Sequence, residues 1–218
     1  MELDLVSSDL AMVHLDENDG VSHVHGPQSE DAIRQAGLAD EVLAELLGPY
    51  RRVWSDTLVL VVSDHCQEAV VRPVGAAPAE RRVADAMAQL ARRTVDAGGP
   101  ALRWYVDGTC AVVAVAGDEP GRSEPAAIVA LRRELERIAW VEDVSEVAEG
   151  VFCVSGGPGE LLGIDWGQLG DHGSTRCLEQ VAVLGGGHAA VGELARRFSG
   201  RAVANATWAP VTLELLGG

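Results

Sequence analysis

One stretch constrains this chain more than any other: Asp56 to Cys66, DTLVLVVSDHC. Thr57 to Val62 is an unbroken apolar or β-branched run, and it predicts a strand buried on both faces. The run stops at Ser63 and is followed at once by Asp64 and His65. Two ligand-type side chains at the end of a buried strand mark a site, because open α/β sheets bind at the carboxyl ends of their strands. The plainer alternative is a turn aspartate capping a helix with an exposed histidine beside it. What flanks the stretch favours the site.

Upstream, Leu10 to Leu15 (LAMVHL) predicts a short strand that ends in a polar stretch holding Asp16, Asp19, His23, His25, Gly26 and Pro27. Ser29 is placed to cap a helix running to Leu47. Glu30 and Asp31 sit in its first turn, and Ile33, Leu38, Val42, Leu43, Leu46 and Leu47 recur near helical period. Gly48-Pro49 ends it. Strand, loop, helix, strand and loop together suggest a βαβ unit.

After Arg72 the pattern changes. Pro73 to Pro78 reads as a linker, Glu80 to Val95 as a helix, and Leu102 to Val106 with Thr109 to Ala116 as a hairpin around Asp107-Gly108. An amphipathic helix over Pro125 to Ala139 and one or two strands within Val141 to Val154 complete a small α+β set. Residues 76–158 are therefore expected to form an inserted subdomain, with 1–75 and 159–218 as the two parts of the core. Gly156 to Gly159 returns the chain to that core. A glycine-rich loop then carries Asp171 and His172, and Val181 to Leu184 predicts another short buried strand. Gly185 to Gly187 and His188 follow, then helices over Ala189 to Phe198 and Val211 to Leu216.

Charge narrows the function classes. Lys and Arg number 17 against 33 Asp and Glu, a net charge of −16. This disfavours nucleic acid and anionic membrane as partners, since phosphate binding needs clustered cations. A strongly acidic chain can still bind phosphate esters if metal ions supply local positive charge. No apolar run approaches the ~20 residues of a membrane span, and MELDLVSSDL lacks the order of a signal peptide. Cys66, Cys110, Cys153 and Cys177 form no CxxC pair and read as the reduced thiols of a cytoplasmic protein.

Three positions offer chemistry: Asp19-x-x-x-His23, Asp64-His65, and His172 within GDHG. Mixed aspartate and histidine sets suit zinc or a similar divalent ion. Asp19 and His23 are spaced to chelate one ion from a single loop. Asp64 and His65 diverge on an extended backbone, but a turn can bring both to one metal. Composition alone leaves the matter open, because most loop aspartates and histidines are merely solvated. His188 is the alternative to His172, and His25 is a loop residue within reach of substrate. His14 reads as a partly buried strand residue.

NDGVSHVHGP followed by TLVLVVSDHC resembles the type I phosphodiesterase/nucleotide pyrophosphatase branch of the alkaline phosphatase superfamily. Its D-x-x-x-H-x-x-GP segment matches Asp19, His23, Gly26 and Pro27. Its SDHG matches Ser63, Asp64 and His65, and its later HG matches His172-Gly173. Its closing segment matches Ala209-Pro210-Val211-Thr212 through Leu215-Leu216-Gly217. The resemblance implies an α/β three-layer αβα sandwich of the alkaline phosphatase type, with the α+β insertion over its site. It implies two divalent ions, zinc or else manganese: one held by Asp19, His23 and His172, the other by Asp64 and His65. It implies hydrolysis of a small phosphodiester or related phosphate or phosphonate.

The chain departs from the family pattern in ways that carry expectations of their own. The family's further metal-binding aspartate and its Thr or Ser nucleophile lie upstream of the first motif, and nothing in Met1 to Asn18 resembles them. An N-terminally truncated domain is expected, with Ser7, Ser8 and Thr175 the first places to seek a nucleophile. Cys66 stands where the family has glycine. The alternative is a non-catalytic or split remnant that binds metal or phosphate and needs a partner chain, or a second copy of itself, for activity. A phosphate-transferring mutase of the same superfamily is a further rival.

Overall fold

The computed structural model describes residues 8–72, 79–116, 125–178, 180–201 and 203–217; the predicted linker Pro73 to Pro78 and Ser7 lie outside them. The elements are α1 (Glu17–His25), α2 (Glu30–Leu47), β1 (Leu58–Val62), β2 (Glu68–Ala69), α3 (Ala79–Asp96), β3 (Leu102–Asp107), β4 (Cys110–Val115), α4 (Pro125–Leu135), β5 (Asp143–Ala148), β6 (Val151–Ser155), β7 (Gly170–Asp171), β8 (Ala182–Gly186), α5 (Ala190–Phe198) and α6 (Trp208–Leu215). The fold is mixed α/β, built from helices and small antiparallel sheets. None of the described helices is long and apolar enough to cross a membrane.

The chain divides into two compact units. Among the described residues, the first takes 8–18, 34–64 and 180–217, and the second takes 19–33 and 65–179. The second unit is organised on a four-stranded antiparallel sheet in the order β3-β4-β6-β5. Ala111 pairs with Val154 and Val113 with Phe152, so these four side chains share one face. Against that face lie Val83, Met87 and Leu90, one stripe of α3, and Leu131 and Leu135, one turn apart on α4; Leu162 closes the cluster. Burying each large side chain there contributes about 1.5–3 kcal/mol. Cys110 and Cys153 point to the opposite face, which carries the loop through His172 to Cys177. Cys153 Sγ lies 3.6 Å from the Gly173 carbonyl oxygen.

A second layer of bonds secures that loop. The Glu68 carboxylate accepts from the Ser174 hydroxyl, from Arg176 Nε at 2.8 Å and from the Gly159 N–H at 2.9 Å. Burial opposes ionisation of Glu68, but the bonds from Ser174, Arg176 and Gly159 outweigh it and hold the carboxyl below its ordinary range.

In the first unit, β1 pairs with β8 in an antiparallel register running from Leu58↔Gly186 to Val62↔Ala182. The predicted βαβ unit is therefore not what β1 enters: its partner is antiparallel. Nor is β1 buried on both faces, being half-buried with Val62 exposed, and Val181 and Val183 are exposed as well. In a two-stranded ribbon apolar content alone buries nothing without a covering layer. The strand predicted over Leu10 to Leu15 is irregular chain with no strand partner among the described residues, and Leu10, Met12, Val13 and Leu15 are all exposed. The polar stretch predicted as a loop is helix α1. Its end is set by Gly26, at φ +90°, whose N–H bonds the Ser22 carbonyl at 2.9 Å.

Candidate metal centre

Helical geometry makes a chelate of Asp19 and His23. Four residues apart on α1, they project from one face, and His23 Nε2 lies 3.5 Å from Asp19 Oδ2. The other ring nitrogen of His23, Nδ1, bonds the Gly170 carbonyl at 2.8 Å. With the proton on Nδ1, Nε2 presents its lone pair beside Asp19. Gly170 permits this approach: a Cβ there would meet the Ser22 carbonyl oxygen at 2.4 Å.

His172 follows β7, far from α1 in sequence. Its Nε2 lies 4.0 Å from Asp19 Oδ1. Its backbone is gripped twice, by Asp171 Oδ1 on the N–H at 2.9 Å and by the Thr109 N–H on the carbonyl at 2.9 Å. The second grip depends on the β3–β4 turn passing closely. Gly108 has φ +51°, and a Cβ there would lie 2.0 Å from the His172 carbonyl oxygen, so only glycine fits.

One ligand atom each from Asp19, His23 and His172 all fall within 4.8 Å of one another. Two imidazoles and a carboxylate, each half-buried, are a donor set for a divalent transition metal with coordination positions left open. Gln67 orients the carboxylate: its Nε2 donates to the Asp19 carbonyl oxygen at 3.1 Å and also to Asp19 Oδ1. Burial, then the neighbouring His65, pushes the His172 pKa below its usual value, and the Asp19 carboxylate only partly offsets this. The neutral, metal-binding imidazole is thereby favoured.

A family model for type I phosphodiesterase / nucleotide pyrophosphatase matches residues 4–137. The chain belongs to that family. A search of curated proteins found no match. Membership of a family of phosphodiesterases and pyrophosphatases supports a hydrolase, and the Asp19–His23–His172 group gives this member a place where a metal ion could sit.

The remaining predicted residues divide between the two units of this phosphodiesterase-family chain. His65 belongs to the second unit and stacks on His172, with ring centroids 3.9 Å apart and planes 26° apart. The turn after it, where Cys66 replaces the family's glycine, is tied down by a bond from the Cys66 N–H to the Cys177 carbonyl at 3.2 Å. His25, on the last turn of α1, is exposed, lies 3.3 Å from Asp31 and is not a member of the three-residue group. Asp64 and His188 belong to the first unit. Asp64 is exposed beyond the end of β1, and its carbonyl accepts from Gln180. His188 is exposed beyond β8, and its Nδ1 accepts from the Ala190 N–H at 3.2 Å. His14 is exposed rather than partly buried.

Of the hydroxyls considered, Ser8 is exposed in the first unit, and Thr175 donates to Asp143 Oδ2 at 2.6 Å. Sequence reasoning missed Gln67, Glu68, Gln168 and Trp166. Gln67 stands directly after the SDHC segment, the single cue that could have drawn attention to it.

Proposed function

We propose that this chain is a metal-dependent hydrolase of a small phosphodiester or related phosphate or phosphonate ester. One ion is assigned to Asp19, His23 and His172, and a second to Asp64 and His65, with zinc the first choice and manganese the second. The observation that carries the reading is the convergence of Asp19, His23 and His172 within 4.8 Å in a chain of this family. A divalent ion there would neutralise charge developing on the phosphoryl oxygens and polarise the attacking oxygen.

The chain's own residues do the rest. Hydrogen bonding of Nδ1 to Gly170 fixes the His23 ring, and Gln67 fixes the Asp19 carboxylate, so both donors are set before an ion arrives. Burial disfavours a competing positive charge on His172. The net charge of −16 provides no cationic track for a nucleic acid, so a small ester drawn in by the ions is the better substrate.

The finer architectural expectations belong with this reading: a three-layer αβα core around the site, residues 76–158 as an insertion over it, and a cytoplasmic setting. A partner chain or a second copy would supply any ligand or nucleophile the site draws from elsewhere.

The test is turnover of bis(4-nitrophenyl) phosphate after chelation and after zinc or manganese is restored. Metal-restored hydrolysis, lost in Asp19→Ala and His172→Ala, is expected. Hydrolysis indifferent to chelation would contradict the reading. Metal binding without turnover of any diester, monoester or phosphonate would favour the non-catalytic alternative instead.

A further inference from the structure

The four cysteines come from distant segments, yet all of them meet one short loop, Gly173 to Cys177. Cys66 Sγ lies 3.6 Å from the Arg176 carbonyl oxygen, and Cys153 Sγ 3.6 Å from the Gly173 carbonyl oxygen. A Cβ on Gly173 would meet Cys110 Sγ at 3.1 Å, and Cys177 ends the loop. Val112 pairs with Cys153 and Ala111 with Val154, so Cys110 and Cys153 are diagonal neighbours on one face of adjacent strands. Both are buried free thiols, 7% and 6% exposed. The Cys110 thiol donates to the Cys153 sulfur. That bond, then burial, pushes the Cys110 pKa up, and the same bond outweighs burial to hold Cys153 below the ordinary thiol range. Ser155, two residues on from Cys153, shares its face. Its hydroxyl is wholly buried and has no hydrogen-bond partner among the described residues.

Diagonal neighbours of an antiparallel pair stand about 7–8 Å apart. A disulfide spans about 4.4–6.8 Å between Cα atoms, so bonding these two sulfurs draws the start of β4 toward β6. Cys110 is the first residue of β4, directly after Thr109, whose N–H holds the His172 carbonyl at 2.9 Å. Thr109 Oγ1 also accepts from the Ser174 N–H at 3.1 Å. Closure therefore pulls on the turn that grips the His172 loop. It also takes the Cys153 S–H away from the Gly173 carbonyl.

We propose that Cys110 and Cys153 form a reversible dithiol–disulfide site, oxidised by hydrogen peroxide, and that closing it loosens His172 from the three-residue group. The oxidant is small because the burial of both sulfurs admits nothing bulky. The Cys153 thiolate attacks one peroxide oxygen and the O–O bond breaks, leaving a sulfenic acid and a hydroxide that takes up the Cys153 proton as water. The unpartnered Ser155 hydroxyl offers the sulfenic oxygen a hydrogen bond. The Cys110 sulfur then attacks the Cys153 sulfur. The S–S bond forms as the S–O bond breaks, and the Cys110 proton leaves with that oxygen as a second water. Two thiols give up two electrons in all, and hydrogen peroxide takes them. Cys177 is the poorer nucleophile, its pKa pushed up to about 11 by burial and then by the Glu68 carboxylate. The disulfide stands apart from the metal-hydrolase reading, and only its effect on His172 rests on that reading.

Peptide mapping tests it. The reduced full chain is treated with hydrogen peroxide, blocked with N-ethylmaleimide, digested, and mapped by mass spectrometry without reduction. A peptide pair joined through Cys110 and Cys153, and separated again by reductant, is expected. In Cys110→Ala the second step is blocked, so dimedone should trap a sulfenic acid at Cys153. The zinc affinity of wild type should fall at least about tenfold on oxidation, the size of a lost ligand or its support, and return with reductant. Peroxide should leave the zinc affinity of Cys153→Ala where it was, and Cys153→Ser serves the same comparison should the alanine variant fail to fold. Linkage of any other pair, or four free thiols after peroxide, overturns the proposal. A Cys110–Cys153 bond that leaves zinc affinity unchanged overturns the link to His172. Were the reduced chain to bind no zinc at all, the metal-hydrolase reading would fail, while the linkage map would still decide the disulfide.

Discussion

The β3-β4-β6-β5 sheet and the β1–β8 ribbon are both antiparallel and both rich in valine, yet they are buried to opposite degrees. Phe152 at the centre of the larger sheet has 0% of its surface exposed, whereas Val183 in the ribbon has 53%. The difference comes from the covering layer, not from the strands. The apolar stripes of α3 and α4 close over one face of the larger sheet, and the loop carrying His172 packs on the other. Apolar strand sequence specifies a strand; burial, and with it stability, comes from what is laid over it. Asp19, His23, His65 and His172 all belong to the unit with the covered sheet, so the candidate metal group rests on the better-packed part of the chain.

The comparison breaks most easily at Phe152. Phe152→Ala should cost about 3–5 kcal/mol in urea unfolding; a cost near that of an exposed valine would mean the sheet is not the core described.

Next comes Gly108→Ala, which forces a side chain into a left-handed backbone and against the His172 carbonyl. A loss of about 2–3 kcal/mol is expected, together with weakened metal binding, read by calorimetry. Unchanged stability would show that the turn and the His172 loop do not meet as described.

Glu68→Gln should cost about 1–2 kcal/mol at neutral pH through its bonds to Ser174 and Arg176. The pH dependence has a definite sign. Because the folded-state pKa of Glu68 is lowered, its contribution is complete above the ordinary glutamate range. It is lost as pH falls through the folded value. The variant should therefore lose less stability on acidification than wild type, and parallel pH profiles would count against the arrangement.

Smallest of all, Val183→Ala should shift unfolding by no more than about 0.5 kcal/mol. A large loss would show that the ribbon is covered.

Much of this was legible in the sequence. Helix α2 was signalled by its capping Ser29 and by apolar period, helices α3 and α5 were also expected close to where they lie, and the β3–β4 hairpin was signalled by Asp107-Gly108. Local chemistry decides such features. The resemblance to the phosphodiesterase family was carried by Asp19, His23 and the SDHC segment, and the family match agrees with it. Features decided by tertiary context were missed. A polar stretch became α1, because the Asp19–His23 pairing on one helical face is invisible to hydropathy. Leu10 to Leu15 has strand composition but no partner strand among the described residues. Gln168 and Trp166 carry no local signal, and Gln67 only its place after the SDHC segment, since their contacts are made by segments distant in sequence that meet in the folded unit.

The most direct test of the central claim is the zinc affinity of the purified chain and of its Asp19→Ala, His23→Ala and His172→Ala variants, with His25→Ala as control. The account predicts that each of the three loses at least about tenfold in affinity, in line with the loss of a coordinating side chain or its support, while His25→Ala binds as wild type does. Equal zinc binding by all five proteins would contradict it.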